Sequence, residues 1–333
     1  MILSQNQIRK IAVFRALQLG DLLNTIPAMR ALRQAYPHAR ITLIGLPWAA
    51  SLLQRFPDYF DDFIHFPGYP GLPEQPFDET GFACFTNRMK EEQFDLLLQM
   101  QGNGTVVNPL MHQLYARHVA GFHNADSHVN SPLFANYPNE GPELKRHLHL
   151  MQHLGITAQG SHMEFPVLPE DEAEVKKLYL PVMERSYVIV HPGSRGAWRQ
   201  WPPHYFAFAA DSCIEKGYTV IVTGTKDERD ITREVLKCMR HPAIDLTGKT
   251  SLGAIGLLIR DAYMLIANCT GVSHIASATE TPSVIISMDG EPERWGPLNR
   301  NIHKVIDWTR EPHADLVWQA LETLFNRQHA ATA

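Results

Sequence analysis

The sequence predicts an α/β protein made of two parallel-sheet domains. Three observations carry this. Short apolar, β-branched runs alternate with amphipathic helical stretches along nearly the whole chain, the rhythm of repeated βαβ units. The chain has 333 residues, more than one ordinary core accommodates. The alternation stops once, around residues 156–168, where Gly155, Gly160, Pro166 and Pro169 cluster, and then starts again. The domains are therefore placed at 1–165 and 166–333.

The first half reads in order. Residues 11–14 are a short apolar strand. Gly20 then allows a sharp turn and a close approach to a ligand. Asp21 follows at the start of a helix expected over 22–33, where Leu23, Ile26, Met29 and Leu32 keep helical spacing. Strands are expected at 41–45, 63–66, 94–99 and 119–122. Helices are expected at 48–56, 81–92, 106–116 and 144–154. Gly102-Asn103-Gly104 makes a second Gly turn after a strand. Residues 67–75 read as a Pro/Gly loop and 123–141 as irregular. In open parallel sheets, ligands bind at the C-terminal strand ends. Both Gly turns fall there.

The second half opens with a charged helix over 170–178. Strands follow at 187–190, 219–223, 243–245, 263–267, 283–287 and 303–306, with helices between. The last helix, 314–327, has an apolar stripe of Leu316, Val317, Ala320, Leu321, Leu324 and Phe325. It is expected to be core and to cross back onto the first domain, with the tail from His329 frayed. Two such domains facing each other make a cleft, the usual place for a small molecule.

Composition narrows the function. Hydrophobic content of 44%, charged content of 20% and a net charge of −5 are ordinary for a globular protein and carry no nucleic-acid footprint. The four cysteines, Cys84, Cys213, Cys238 and Cys269, form no CxxC pair, which argues against a disulfide framework or structural zinc. Residues 1–10 lack the apolar core of a signal peptide, and no apolar run is long enough to span a bilayer. The expectation is a cytoplasmic protein, with peripheral contact at the inner membrane left open, as a monomer or weak oligomer.

Four strand ends in the second half carry candidate chemistry. After residues 188–190 comes His191-Pro-Gly-Ser-Arg-Gly-Ala-Trp-Arg-Gln-Trp-Pro, a basic loop opening a helix at 205–216. Free amides at a helix N-terminus, with Ser194, Arg195 and Arg199, suit a phosphate. Thr225 and Glu228 follow the Gly224 turn. They suit ribose hydroxyls, and equally a helix cap. Ser251, after Thr247-Gly248-Lys249, reads as a cap. Cys269 then leads into Thr270-Gly271-Val272-Ser273-His274, where first-turn amides suit a diphosphate. Neither GxxxxGK[ST] nor GxGxxG is present. Trp198 reads as an adenine frame or as packing, and Trp201 as packing. His147, His149 and His153 read as a solvated helix face rather than a metal site.

Arg15-Ala-Leu-Gln-Leu-Gly-Asp-Leu-Leu-Asn-Thr-Ile-Pro-Ala-Met, taken with Thr270-Gly-Val-Ser-His-Ile-Ala-Ser-Ala, resembles glycosyltransferase family 9, the lipopolysaccharide heptosyltransferases. The His191 loop and Asp245-Leu-Thr-Gly-Lys-Thr-Ser-Leu resemble the same family. The resemblance spans nearly the whole chain and is loosest between 68 and 160. It implies a GT-B fold of two Rossmann-like domains, the N-terminal one binding the acceptor and the C-terminal one the nucleotide-sugar. It also implies an inverting, metal-independent transfer from ADP-L-glycero-D-manno-heptose to a lipopolysaccharide-core or other glycan or lipid-linked acceptor, without a cofactor.

Residue by residue, the catalytic aspartate falls on Asp21 and the phosphate-contacting lysine on Arg199. The donor segment falls on Thr270, Gly271, Val272, Ser273 and His274, with Ser194, Thr225 and Glu228 on the donor side. Arg15 and Gly20 are assigned to the acceptor side, with an ion pair the other reading of Arg15. Cys269 stands where the family usually has Asp, near the donor sugar. That leaves a redirected or non-catalytic nucleotide-sugar binder, or a sugar-nucleotide epimerase of the same fold, as the alternatives.

Overall fold

A computed structural model describes residues 2–126 and 131–332, with side chains through Arg327. Its contacts divide the chain into two compact units, Met1–His162 and Met163–Ala333. The division falls before the expected boundary because Phe165, placed at the end of the first domain, is buried on the second unit, against Gly256.

The first unit runs β1 (Lys10–Phe14), α1 (Leu19–Leu23), α2 (Ile26–Ala35), β2 (Arg40–Gly45), α3 (Ala49–Leu53), β3 (Asp62–His65), α4 (Glu79–Glu92), β4 (Leu96–Gln99), α5 (Val107–Met111), β5 (His118–His123), β6 (Phe134–Asn136) and α6 (Glu143–His153). The second runs α7 (Pro169–Lys177), β7 (Tyr187–His191), α8 (Pro203–Glu215), β8 (Thr219–Val222), α9 (Arg229–Cys238), β9 (Ile244–Asp245), α10 (Leu252–Asp261), β10 (Met264–Asn268), α11 (Gly271–Ala278), β11 (Ser283–Ser287), α12 (Pro292–Trp295), β12 (His303–Asp307) and α13 (Ala314–Thr332).

Both sheets are six-stranded and parallel, in the orders β3-β2-β1-β4-β5-β6 and β12-β11-β10-β7-β8-β9. Numbered from the first strand of each unit, the two orders are the same doubly wound order. The strand order reverses between β1 and β4 in one sheet and between β7 and β10 in the other. That reversal opens a crevice at the C-terminal strand ends, the ligand position of such sheets. The central strands β4, β7, β10 and β11 are buried throughout, as helices on both faces require. Phe14 of β1 packs edge-on against Phe66, their ring centroids 4.9 Å apart, at the heart of the first core. The apolar stripe of α13 is accounted for within the second unit: Val317, Leu321, Leu324 and Phe325 are buried in its core.

Four expectations are corrected. The helix expected over 22–33 is two helices. Asn24 donates its side-chain amide to the Gly20 carbonyl at 2.8 Å, and the Thr25 hydroxyl donates to the Leu22 carbonyl at 2.6 Å, closing α1. Pro27 then sits in the first turn of α2, where it lacks nothing a helix start would use. The helix expected over 106–116 ends at Met111, and Tyr115 turns the chain with φ 56°. The irregular stretch holds strand β6, paired parallel to β5 with Phe122 opposite Ala135. Three residues are too few to show a period, and residues 127–130 of that stretch lie outside the described ones. The tail is helical through Thr332 rather than frayed from His329, and Ala333 is not described.

Candidate functional site

In the first unit the crevice is lined by the β1–α1 turn and the loop after β4. Gly20 and Asp21 lie in the first turn of α1. The Asp21 carboxylate accepts a hydrogen bond from the Gln18 amide at 3.2 Å and keeps 22% of its side chain exposed. It is thus anchored but reachable. Ala16 donates its amide to the Gln101 side-chain oxygen at 2.9 Å, tying the two loops together. Gly104 has φ 82°, and a Cβ there would collide with Asn108 and the Phe122 carbonyl, so glycine is required. Arg15 is 1% exposed. Of its two expected settings, acceptor contact and ion pair, the structure shows the ion pair, with Asp21 and Glu143.

The solvated histidine face is corrected in part. His149 and His153 are exposed, but His147 is buried, its Nε2 3.5 Å from Glu143 Oε1. Burial, with the Arg15 charge, pushes its pKa down. Among the described residues no group of three or more His, Cys, Asp or Glu is arranged to hold a metal ion.

In the second unit the loop after β7 is pinned at both ends by one buried side chain. Asn268, the last residue of β10, donates its side-chain amide to the Pro192 carbonyl at 2.7 Å and accepts from the Trp201 backbone amide at 2.9 Å. Trp201 is fully buried among Tyr205, Phe206 and Trp308, so it is packing. The Gln200 side chain donates to the Ser194 carbonyl at 3.0 Å. Ser194 is buried, whereas Arg195 and Trp198 are exposed. The result is a tethered loop with a basic, solvent-facing middle. Arg199 lies over the Trp198 ring, 5.2 Å from its centroid, and its Nη2 pairs with Asp289.

Asp289 follows β11 and was not evident from the sequence. Burial pushes its pKa up, but hydrogen bonds from Ser287 and Arg199, with the Arg199 charge, outweigh this and hold its carboxyl below the usual range. Cys269, beside it, is buried. Its thiol is pushed up to about 12, chiefly by burial and also by Asp289. The position therefore presents a neutral thiol, with a carboxylate supplied from the neighbouring strand end.

Thr270 caps α11. Ser273 closes the cap, its hydroxyl accepting from the Thr270 amide at 3.2 Å and donating to the Thr270 carbonyl at 2.7 Å. Gly271 and Val272 then offer first-turn amides that lack intrahelical acceptors. His274 is buried one turn on. Glu228 accepts from the Thr225 amide at 2.7 Å, which is a capping role. Its carboxylate also lies 3.6 Å from His191 Nε2, while His191 Nδ1 is 3.0 Å from the Thr223 hydroxyl. Burial lowers the His191 pKa and Glu228 partly offsets this. A Cβ on Gly193 would collide with the Glu228 carboxylate, so that glycine lets the two loops meet. Ser251 caps α10, accepting from the Ala254 amide at 3.2 Å. The sheet order thus gathers Ser194, Arg199, Thr225, Glu228 and residues 269–274 at one edge of the second unit.

Residues 83–324 match the model of glycosyltransferase family 9 (heptosyltransferase). The chain belongs to glycosyltransferase family 9. Lipopolysaccharide heptosyltransferase 3 of Escherichia coli K12 is 23% identical over 298 residues, covering 85% of this chain and 83% of that protein. Lipooligosaccharide heptosyltransferase 2 of Haemophilus influenzae is 22% identical, covering 84% of each. Among solved structures, the family 9 glycosyltransferase of Veillonella parvula superposes with a TM-score of 0.80 at 20% identity, over 98% of this chain and 99% of that one. The E. coli ADP-heptose lipopolysaccharide heptosyltransferase II superposes with a TM-score of 0.75 at 19% identity, over 97% and 100%. Both likenesses show the fold, two Rossmann-like units of the GT-B kind. The family 9 chain is a glycosyltransferase, and no helix among its described residues is long and apolar enough to cross a membrane.

Proposed function

We propose that this enzyme transfers heptose, with inversion, from ADP-L-glycero-D-manno-heptose to a hydroxyl of the lipopolysaccharide core. The observation that carries the reading is Asp21: a carboxylate in the first turn of α1, beyond the C-terminal end of β1, anchored by the Gln18 amide and still 22% exposed. The named relatives are lipopolysaccharide heptosyltransferases, and one solved family member of similar fold is described as bound to ADP. In this mechanism Asp21 takes the proton of the acceptor hydroxyl as its oxygen attacks the anomeric carbon. The carbon–oxygen bond to the diphosphate breaks and ADP departs. Arg199 and the amides of Gly271 and Val272 offset the charge that develops on the leaving group. Ser194, Thr225, Glu228, Thr270, Ser273 and His274 complete the donor side, with Gly20 beside the acceptor. A lipid-linked acceptor would bring the enzyme into peripheral contact with the membrane face.

The test is ADP release from ADP-heptose, with heptose-deficient lipopolysaccharide core as acceptor. Asp21→Asn is expected to lower kcat by about 10²–10⁴-fold, the usual contribution of a general base, with ADP affinity retained. Full activity in that variant would sink the assignment of Asp21. A second reading, transfer of a different nucleotide-activated sugar, is favoured by the neutral thiol of Cys269. Thermal shifts across ADP-, GDP- and UDP-sugars distinguish the two: the largest shift with ADP-heptose supports the first reading, and with another sugar the second.

A further inference from the structure

Arg15 is the centre of a buried charge array at the ligand edge of the first sheet. Its Nε and Nη2 donate to the Asp21 carbonyl at 3.3 and 3.2 Å, and its Nη1 donates to the Met100 carbonyl just past β4. Nη2 also lies between two carboxylates, 3.6 Å from Asp21 Oδ1 and 3.3 Å from Glu143 Oε1. Glu143 opens α6 and is itself buried. Its other oxygen lies 3.4 Å from Arg146 Nη1, and His147 Nε2 is 3.5 Å from Oε1. Burial keeps His147 neutral near pH 7, so it adds no charge. Among the described residues the carboxylates paired with Arg15 are Asp21 and Glu143, and Arg146 lies behind Glu143 on α6. Arg146 is engaged by Tyr137 at 2.9 Å and the Asn139 carbonyl at 3.0 Å.

We propose that Arg15 and Glu143 are positioning residues for Asp21: Arg15 fixes the Gly20–Asp21 turn through its carbonyl and attracts its carboxylate, and Glu143 sets how much of that attraction Asp21 receives. The inference rests on the reading of Asp21 as the base. A buried cation shared between two carboxylates acts on each less than it would on one, and the low dielectric of the interior makes that sharing felt. Removing the Glu143 charge leaves Asp21, among the described residues, as the remaining carboxylate on Arg15, which favours its ionised form and weakens it as a base. Removing the Arg15 charge does the reverse.

The two variants therefore move the pH profile in opposite directions, which a merely structural role would not do. The measurement is kcat against pH for ADP release from ADP-heptose with heptose-deficient lipopolysaccharide core, normalised to each variant's own plateau. Glu143→Gln is expected to move the acid limb down by about half a pH unit or more and to lower the plateau severalfold, with the donor KM within about twofold. Arg15→Gln is expected to move the limb up. Limbs that move together, or that stay with the wild type, overturn the proposal. If Arg15→Gln does not fold, the isosteric Glu143→Gln decides alone: a limb that stays or rises overturns it. Full activity of Asp21→Asn, or no ADP release by the wild-type chain, sinks the underlying reading instead.

Discussion

Arg199 engages Asp289 through Nη2 while its side chain stays 34% exposed. Asp289 is ionised at neutral pH, as its lowered pKa requires. On the role proposed for Arg199, the resting enzyme keeps a carboxylate on the cation that would meet the donor diphosphate. A planar guanidinium forms strong paired bonds to phosphate, and the carboxylate competes for them. Arg199→Ala should weaken ADP binding by about tenfold or more while leaving adenosine binding alone, and Asp289→Asn should tighten ADP binding by about threefold. Calorimetry with both ligands checks this, and weaker ADP binding by Asp289→Asn would count against competition. The sequence flags Arg199 and Cys269 because each sits in a recognisable motif. Asp289 escapes notice because it is distant in the chain. Only the β10–β11 pairing, with Asn268 opposite Ile286, brings it beside Cys269. His147 was more legible than its reading: Leu144, His147, Leu150 and Met151 keep the helical spacing of the buried face.

At the scale of elements, the loop between β7 and α8 shows how a strand end becomes a positioned site. The strand, the turn and the helix after Pro203 follow from β-branched residues, Pro-Gly and a first-turn proline, all local signals. What holds the loop in place is not local. Asn268 closes it at Pro192 and Trp201, and both bonds are buried. Asn268→Asp keeps acceptance from the Trp201 backbone amide but sets a carboxylate against the Pro192 carbonyl. Leaving that buried carbonyl without its donor costs about 1–3 kcal/mol, before any cost of the new charge. The variant should melt several degrees below the wild type and bind ADP more weakly, by calorimetry in parallel with a thermal scan. An unchanged melting temperature would show that the loop is held by Trp201 packing alone. The break between α1 and α2 escaped the sequence for a related reason: the apolar spacing runs through it, and only the side-chain bonds of Asn24 and Thr25 stop the first helix.

For the whole molecule, acid sensitivity follows from histidines folded in their neutral form. His303 on β12 is buried, bonded through Nδ1 to the Ser283 hydroxyl at 2.7 Å, and burial together with Arg300 lowers its pKa to about 4. His191 and His147 are lowered as well, each chiefly by burial. The unfolded chain takes up a proton at each of these sites near pH 6.5, whereas folded His303 does so only near pH 4. Between those values the unfolded state binds more protons, so stability falls as pH falls. Above about pH 6.5 these groups are neutral in both states and the dependence vanishes. Urea midpoints taken from pH 7.5 to 4.5 should therefore decline steadily below about pH 6.5. His303→Asn, which retains a polar atom for Ser283 but cannot titrate, should start less stable and then decline less steeply. The comparison depends on the slope rather than the starting midpoint, so a packing cost in the variant does not obscure it. A slope equal to that of the wild type would mean that His303 is not among the groups that destabilise the fold in acid.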